Sequence, residues 1–228
     1  MRRLIVSLGA AWTLCGLGCQ PPPMKTPAEL GDEVDVFPIS GRQGLLLFSP
    51  PIHFGPYSTT QLSRGVSRGE GHLEPGILSK SVRNQRHQIS TFAIAGWRGS
   101  CDDYAYTKIE EDVVGLKVTS KDGAGLDERE TGEQESGFAC DLSGPSGHAL
   151  HADLADAPAT VRDEDGAAPY VIEPWTEGQG RGFLIQREGG EAMAAAQVDF
   201  DGYVHLPKRL PEAERPPVLA LLVAILLR

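Results

Sequence analysis

The feature that most constrains the fold is an apolar run, residues 218–227, which directly follows Pro216 and Pro217. As a helix, ten residues measure ~15 Å, whereas the hydrocarbon core of a bilayer is ~30 Å thick. The run is therefore too short to be a transmembrane tail, which disfavours that interpretation. Proline is tolerated in the first turn of a helix, where its missing N–H is no loss. The sequence therefore predicts a helix at about residues 217–228. Because it is apolar on every side, protein must enclose it all round.

The segment before this run has the pattern of a three-stranded meander. Gly189-Gly190 and Asp201-Gly202 separate three apolar segments between residues 182 and 207. Both dipeptides supply the positive φ angles that two-residue hairpin turns need. The alanines at 194–196 are unusual in a strand, and their small side chains predict a surface on which the C-terminal helix packs closely.

The remaining sequence favours strands and turns, since it contains 27 glycines and 17 prolines and few helical patterns. We predict a mainly β fold, an antiparallel barrel or sandwich with one buried apolar C-terminal helix. Short apolar or alternating segments predict further strands at residues 44–49, 87–97, 113–119 and 138–142. Two polar stretches predict loops: residues 62–86, with room for one edge strand, and residues 122–136, an acidic hairpin tip.

The N-terminus has the order of an export signal. Arg2 and Arg3 precede an apolar stretch, residues 4–14, that is too short to span a bilayer permanently. We predict a signal peptide over residues 1–18, followed by an extended proline-rich and acidic tether over residues 19–40. Residues 41–228 are then a single β-rich domain.

The end of this signal resembles that of bacterial lipoproteins, in which a small residue precedes the cysteine that becomes lipidated. Gly18 and Cys19 fit this arrangement, whereas Gly16 stands where the family prefers leucine or another aliphatic residue. The resemblance implies lipidation of Cys19. It also implies an outer-membrane location, because Gln20 replaces the aspartate that favours retention in the inner membrane. The alternative is a secreted protein cleaved near Gly18, with Cys19 as a spare thiol.

Cys101 and Cys140 remain once Cys15 is removed with the signal and Cys19 is lipidated. In an oxidising compartment a lone pair most simply forms one disulfide. Closing a loop of this length contributes ~4 kcal/mol in the loop-entropy model. A redox or metal-binding pair is the rival interpretation, but there is no C-x-x-C spacing and no nearby histidine.

The balance of charge argues against nucleic acid as a partner. The formal charge is −10, and loss of residues 1–18, with two arginines and no acidic residue, makes it −12. Such a surface repels phosphate backbones.

Sequence motifs offer little chemistry, and we predict no catalytic residue, metal ligand or cofactor. Asp102, Asp103 and Tyr104 form the densest polar cluster and are the weak site candidates. His148 and His151 lie on opposite faces of a predicted strand, so they do not converge on a metal. Asp163-Glu164-Asp165-Gly166 lacks the calcium-loop register and is interpreted as a turn.

These observations favour a non-enzymatic lipoprotein of the cell envelope that binds an envelope protein or a lipid, or has a structural role. The membrane itself is contacted through the N-terminal lipid. A secreted hydrolase with an unrecognised site is one alternative. The meander and apolar helix of residues 181–227 also resemble tubby-like and LURP-one-related barrels, in which such a helix fills the lumen. That resemblance implies lipid binding as a further alternative.

Overall fold

The computed structural model describes residues 23–42, 49–65, 68–75, 79–112, 131–155, 158–177, 180–199 and 202–228. Within them, an antiparallel sheet curls into a nearly closed barrel around one C-terminal helix. The predicted fold class is confirmed, and of the two predicted architectures the barrel is the one observed.

The sheet contains fourteen strands in the described part of the chain. They are β1 (Val34–Ser40), β2 (His53–Phe54), β3 (Tyr57–Ser58), β4 (Thr60–Arg64), β5 (Arg68–Pro75), β6 (Ser79–Ile94), β7 (Trp97–Asp112), β8 (Thr131–Ser143), β9 (Ala149–Asp153), β10 (Ala159–Asp163), β11 (Tyr170–Glu177), β12 (Gly180–Arg187), β13 (Ala192–Gln197) and β14 (Tyr203–Pro207). The helix α1 spans Arg215–Leu227, and single 3-10 turns occupy Ala28–Leu30 and Pro145–Gly147.

The strand order explains how the barrel nearly closes. The order is β3-β2-β1-β14-β13-β12-β11-β10-β9-β8-β7-β6-β4, and β5 pairs with β6 beside this path. The two ends of the path, β3 and β4, are separated in sequence by one residue, Thr59. The Thr59 N–H donates to the Ile52 carbonyl at 2.9 Å, which continues the β2–β3 hairpin by one pair. The seam of the barrel is therefore bridged by the chain itself.

Helix α1 forms the centre of the core. Every residue from Val218 to Leu226 is at most 2% exposed. The helix packs against β6, β7 and β13 and belongs to the same apolar cluster as side chains from most of the barrel. The prediction that protein encloses this run on all sides is confirmed.

The start of α1 shows why prolines suit a helix that passes from the barrel mouth into the core. A helix normally leaves its first N–H groups without intrahelical partners, which is costly where water is excluded. Pro216 and Pro217 have no N–H to leave unpaired. On either side of them, the Arg215 N–H donates to the Pro211 carbonyl at 3.0 Å and the Val218 N–H donates to the Glu214 carbonyl at 3.2 Å. The helix therefore enters the core without orphan donors.

The predicted meander is observed as β12, β13 and β14. Gly189, Gly190 and Gly202 have φ angles of 100°, 90° and 74°, as the turn chemistry requires. All six residues of β13 are buried, so this strand is covered on both faces. Ala194 and Ala196 join the cluster that contains α1, which confirms the predicted packing surface, whereas Ala195 belongs to a second, smaller cluster.

That second cluster lies under the N-terminal strap, which we define as residues 23–33. Leu30 of the strap is 1% exposed and packs with Leu184, Ala192 and Ala195 on the outside of the meander. The strap then continues into β1, which pairs with β14. The range predicted as a tether, residues 19–40, therefore contains folded structure that covers the barrel.

Two other regions differ from the sequence-based expectations. The single strand predicted at 87–97 is interrupted by a turn at Ala95 and Gly96, which have φ angles of 49° and 83°. Alanine rarely adopts positive φ, so the sequence gives little sign of this hairpin. The predicted loops at 62–86 and 122–136 also contain strands, because β5, much of β6 and the start of β8 form antiparallel ladders there. The strand predicted at 113–119, and 44–48 of another, lie outside the described residues.

Candidate functional site

An open groove lies on the outside of β6–β9. Phe92 and Leu142 of these strands belong to the core cluster and also contribute to the groove lining. The alternate residues, such as Ser100 and Asp141, face solvent. The groove encloses about 500 Å³. Its lining residues are Gln61, Thr91, Phe92, Arg98, Gly99, Ser100, Asp141, Leu142, Ser143, Ala149, Leu150, His151, Asp163 and Glu164.

Strand register sets a row of polar side chains across the floor of this groove. Thr91 on β6 pairs with Ser100 on β7, and Ser100 pairs with Asp141 on β8. Asp141 pairs in turn with His151 on β9. Side chains at directly paired positions lie on the same face about 5 Å apart. Two hydroxyl groups, one carboxylate and one imidazole, from four different strands, therefore lie in one row.

Asp141 and His151 form the strongest contact in this row. Their Oδ1 and Nδ1 atoms are 2.7 Å apart. The histidine side chain is 54% exposed and the aspartate 82% exposed. Water screens a pair this exposed, so it contributes on the order of 0–1 kcal/mol to stability. The pair therefore contributes little to the stability of the fold.

The rim of the groove is predominantly acidic. Asp163, the last residue of β10, and Glu164, the first residue of the turn that follows, lie at one end. Asp163 Oδ1 accepts hydrogen bonds from the backbone N–H groups of Asp165 and Ala167 at 3.0 and 2.8 Å, which fixes this turn. The interpretation of residues 163–166 as a turn is confirmed. Arg98 is the one basic residue in the lining, against Asp141, Asp163 and Glu164.

The three weak site candidates do not converge. Asp102 and Tyr104 face outward on β7, whereas Asp103 lies on the opposite side of the strand. Asp102 Oδ1 is 2.6 Å from His87 Nε2, and both side chains are 44% exposed. Tyr104 lies across Gly137, the glycine paired with it on β8, where a Cβ atom would meet the ring at 2.3 Å. Asp102 thus takes part in a second carboxylate–histidine pair, and Tyr104 fills a packing position.

The predicted disulfide between Cys101 and Cys140 is formed, with an S–S distance of 2.09 Å. The two residues are direct partners on β7 and β8, and both side chains face the core. This bond lies beneath the floor of the groove. Cys19, the predicted lipidation site, lies outside the described residues.

A smaller cavity of about 390 Å³ lies at the barrel mouth beside the start of α1. Apolar and aromatic residues form much of its lining, including Trp97, Tyr170 and Pro216. Burial raises the pKa of the Tyr170 hydroxyl, an effect that the charge of Arg187 partly offsets. The Tyr170 hydroxyl is therefore neutral near neutral pH, and Asp163 supplies a carboxylate to the same lining.

The most enclosed polar side chain of the described chain is His205 on β14, which sequence reasoning did not single out. It is fully buried beneath the N-terminal strap, with its Nδ1 atom 3.1 Å from Thr26 Oγ1. Its ring contacts Trp175 edge-on, with 5.2 Å between ring centroids. Burial lowers the pKa of this imidazole to about 4, so the ring is neutral at physiological pH.

Among the described residues, no group of three or more His, Cys, Asp or Glu side chains is arranged to hold a metal ion. No helix in that part of the chain is both long enough and apolar enough to cross a membrane. Comparison with protein-family models, curated proteins and solved structures gives no match.

Proposed function

We propose that this protein is a non-enzymatic binding protein of the cell envelope, anchored through a lipid on Cys19, which holds a partner in the groove outside β6–β9. The observation that carries the proposal is the division between the two faces of the barrel. Helix α1 fills the lumen, with its central nine residues at most 2% exposed, whereas the outer groove is open to solvent and has polar and charged side chains set in a mainly apolar lining. Binding capacity therefore lies outside the barrel.

The filled lumen disfavours lipid carriage within the barrel. A lipid-binding barrel needs an apolar cavity large enough for an acyl chain. Here the core cluster combines α1 with side chains from strands all round the sheet. A lipid could enter only if the helix left, which would expose its aliphatic side chains at several kcal/mol of cost.

The groove also suits binding better than hydrolysis. In a serine hydrolase, the imidazole must contact the nucleophilic hydroxyl directly. Here Asp141 lies between Ser100 and His151 in the row, so the carboxylate occupies the place that the imidazole would need. The Asp141–His151 pair is also largely solvated, which removes the low-dielectric surroundings that make catalytic charges effective.

The charge of the groove indicates the chemistry of the partner. Its lining carries three carboxylates and one guanidinium, besides His151. Opposite charges across an interface favour encounter and fix orientation. We therefore propose that the partner presents a basic, polar segment, as an extended chain or loop of an envelope protein would.

Fractionation of Cys19→Ala tests the anchor, with Cys15→Ala as the matched control. We expect Cys19→Ala to leave the membrane fraction and Cys15→Ala to stay there, since loss of the acyl chains removes the membrane attachment. Retention of Cys19→Ala in the membrane would contradict the anchor.

Photo-crosslinking tests the groove. A photoreactive residue at Ser100 should give a discrete product in intact cells, whereas the same residue at exposed Glu173 on β11 should not. Glu164→Lys, at the groove rim, should abolish the product, and Glu177→Lys, outside it, should leave it unchanged. Equal products from Ser100 and Glu173, or a product insensitive to Glu164→Lys, would overturn the groove assignment.

A further inference from the structure

The N-terminal strap covers the molecule's one fully buried histidine within the described chain, and its attachments are few and local. The Met24 N–H donates to Gln197 Oε1 at 3.0 Å. Thr26 Oγ1 lies 3.1 Å from His205 Nδ1. Met24 and Leu30 pack against the meander, and Pro27 of the strap is buried as well. At its far end, the strap is fixed where the Lys208 N–H donates to the Glu33 carbonyl at 2.9 Å.

The surface under the strap is shaped to hold the His205 ring. Gly182 leaves room for Trp175, whose ring would lie 2.7 Å from a Cβ atom at that position. Trp175 in turn contacts the edge of the imidazole. Ala195, directly paired with His205, is a small neighbour on β13. Once the strap is in place, the ring has no access to solvent.

The buried ring has one unsatisfied nitrogen. His205 Nε2 has no hydrogen-bond partner in the described chain. Protonation would make both ring nitrogens donors and place a positive charge in this dry site. Water can reach Nε2 only if the covering segment moves away. Protonation of His205 and attachment of the strap therefore oppose each other.

No charged group faces the ring from the described elements packed around it. On the strap, the charged residues are all exposed; they are Lys25, Glu29, Asp32 and Glu33. On β1, Val36 is the residue that pairs with His205, whereas Asp35 pairs with the next residue, Leu206. Asp35 Oδ1 lies 3.9 Å from Lys208 Nζ. On β11, Glu173 and Glu177 are exposed, and β13 contributes Ala195 and the neutral Gln197. Burial is accordingly the cause that lowers the pKa of His205.

We infer that residues 23–33 form a proton-released latch, which covers His205 near neutral pH and detaches when the imidazole is protonated. The direction in which pH changes the stability of the attached latch follows from the pKa of the ring in the two states. In the released state the histidine titrates at its ordinary value of 6.5, and under the latch its pKa is about 4. The latch is thus fully stable above pH 6.5 and is weakened as pH falls from 6.5 to 4. The ratio of attached to released latch falls about tenfold for each pH unit in this window.

Release of the latch would also lengthen the free chain between the membrane and the barrel. This consequence rests on the proposed lipid anchor, although the latch itself does not. With the latch attached, the chain from Cys19 to residue 23 spans at most about 14 Å. With residues 23–33 released, the chain from Cys19 to β1 spans up to about 50 Å. Acidification would let the barrel move several nanometres farther from the membrane surface.

The two described methionines make the test internally controlled. Met24 lies in the strap, and Met193 is buried in the barrel core. The full chain, labelled with 13C at the methionine methyl groups, is titrated from pH 7.5 to 4 in detergent micelles and followed by NMR. We expect the Met24 signal to move to its solvent-exposed position below pH 6.5, while the Met193 signal keeps its native position.

Two variants and one direct measurement complete the experiment. In His205→Gln, which cannot titrate, the Met24 signal should stay native down to pH 4. In His151→Gln, the control at an exposed histidine, it should move as in the wild type. The ring signals of His205 in the wild type should titrate together with Met24, which tests the latch even if a variant folds poorly. A static Met24 signal, simultaneous loss of Met24 and Met193, or an unchanged transition in folded His205→Gln would overturn the latch. A latch that works in Cys19→Ala, with that variant still membrane-bound, would overturn only the anchor.

Discussion

The two sides of the barrel use the same strand pattern in different ways. On the meander side, β13 is buried on both faces, by α1 inside and by the N-terminal strap outside. On the groove side, β8 and β9 bury the core-facing residues and expose Asp141 and His151 on the other face. The meander side is therefore covered by its own chain, and the groove side is left open.

This difference shows how side-chain size and polarity divide the outer surface. Alanine and glycine on β12 and β13 permit close covering, because small side chains let a second layer approach the sheet. Charged and hydroxyl side chains on β7–β9 would be costly to cover with an apolar segment. The described barrel therefore combines a filled lumen with a groove that is left open on its outer face.

The largest expected effect concerns the layer inside the barrel. Leu222→Ala removes a fully buried side chain of α1 and should lower the free energy of unfolding by about 2–5 kcal/mol, through lost burial and a residual cavity. Leu227→Ala, at the half-buried end of the helix, should cost clearly less. Urea denaturation measures both, and equal losses would mean that the helix centre is less enclosed than described.

The next prediction compares the stability change caused by the same alanine-to-leucine substitution on the covered and on the open outer face. Ala195→Leu should destabilise by about 1–3 kcal/mol, because no space remains between β13 and the strap. Ala139→Leu, at an outward-facing and half-buried position of β8, should change stability by no more than about 0.5 kcal/mol. Thermal unfolding distinguishes them. If the two variants had the same stability, the strap would not cover Ala195.

A smaller effect is expected for the polar contact under the strap. Thr26→Val keeps the shape of the side chain but removes the hydroxyl beside His205 Nδ1, at a cost of about 1 kcal/mol. Thr160→Val, at an exposed position of β10, is the control and should be nearly neutral. Chemical denaturation at pH 7.5 provides the measurement, and a neutral Thr26→Val would remove this contact from the account of the latch.

The smallest effect is expected in the groove. A double-mutant cycle on Asp141 and His151 should give a coupling of about 0.2–1 kcal/mol, because both side chains are more than half exposed. The coupling should weaken in high salt, since screening acts on exposed charges. A coupling of several kcal/mol would show that the pair is shielded, and would restore the case for catalysis.

Several features could be predicted from sequence because they depend on short-range patterns. An apolar run too short for a bilayer requires a protein environment, and α1 lies in one. The dipeptide Gly189-Gly190 is a direct sequence signal for a two-residue hairpin turn, and the hairpin is present. The pairing of Cys101 with Cys140 follows from counting cysteines, provided that the chain is exported.

The rest depends on contacts between distant residues. Met24 and Leu30 are isolated apolar residues in a polar, proline-containing segment, and nothing near them indicates that they pack on strands more than 150 positions later. The same holds for the ring of His205, since alternation in β14 places it on the outer face but does not reveal the cover. Asp141 and His151 meet only because β8 and β9 pair in one particular register. The tight turn at Ala95 and Gly96 requires a positive φ at an alanine, which alanine rarely adopts, so the sequence does not indicate this hairpin.

The way the barrel nearly closes has a consequence for its fluctuations. At the seam, β2 and β3 each contain two residues, and Thr59 alone connects this hairpin to β4. Breaking so few interstrand hydrogen bonds costs far less than separating the eight-residue ladder between β11 and β12. Amide protons of residues 53–58 should therefore exchange with solvent before those of β12, through local openings that leave α1 in place. The barrel would then open locally at its seam, which is far in sequence from the groove strands β8 and β9.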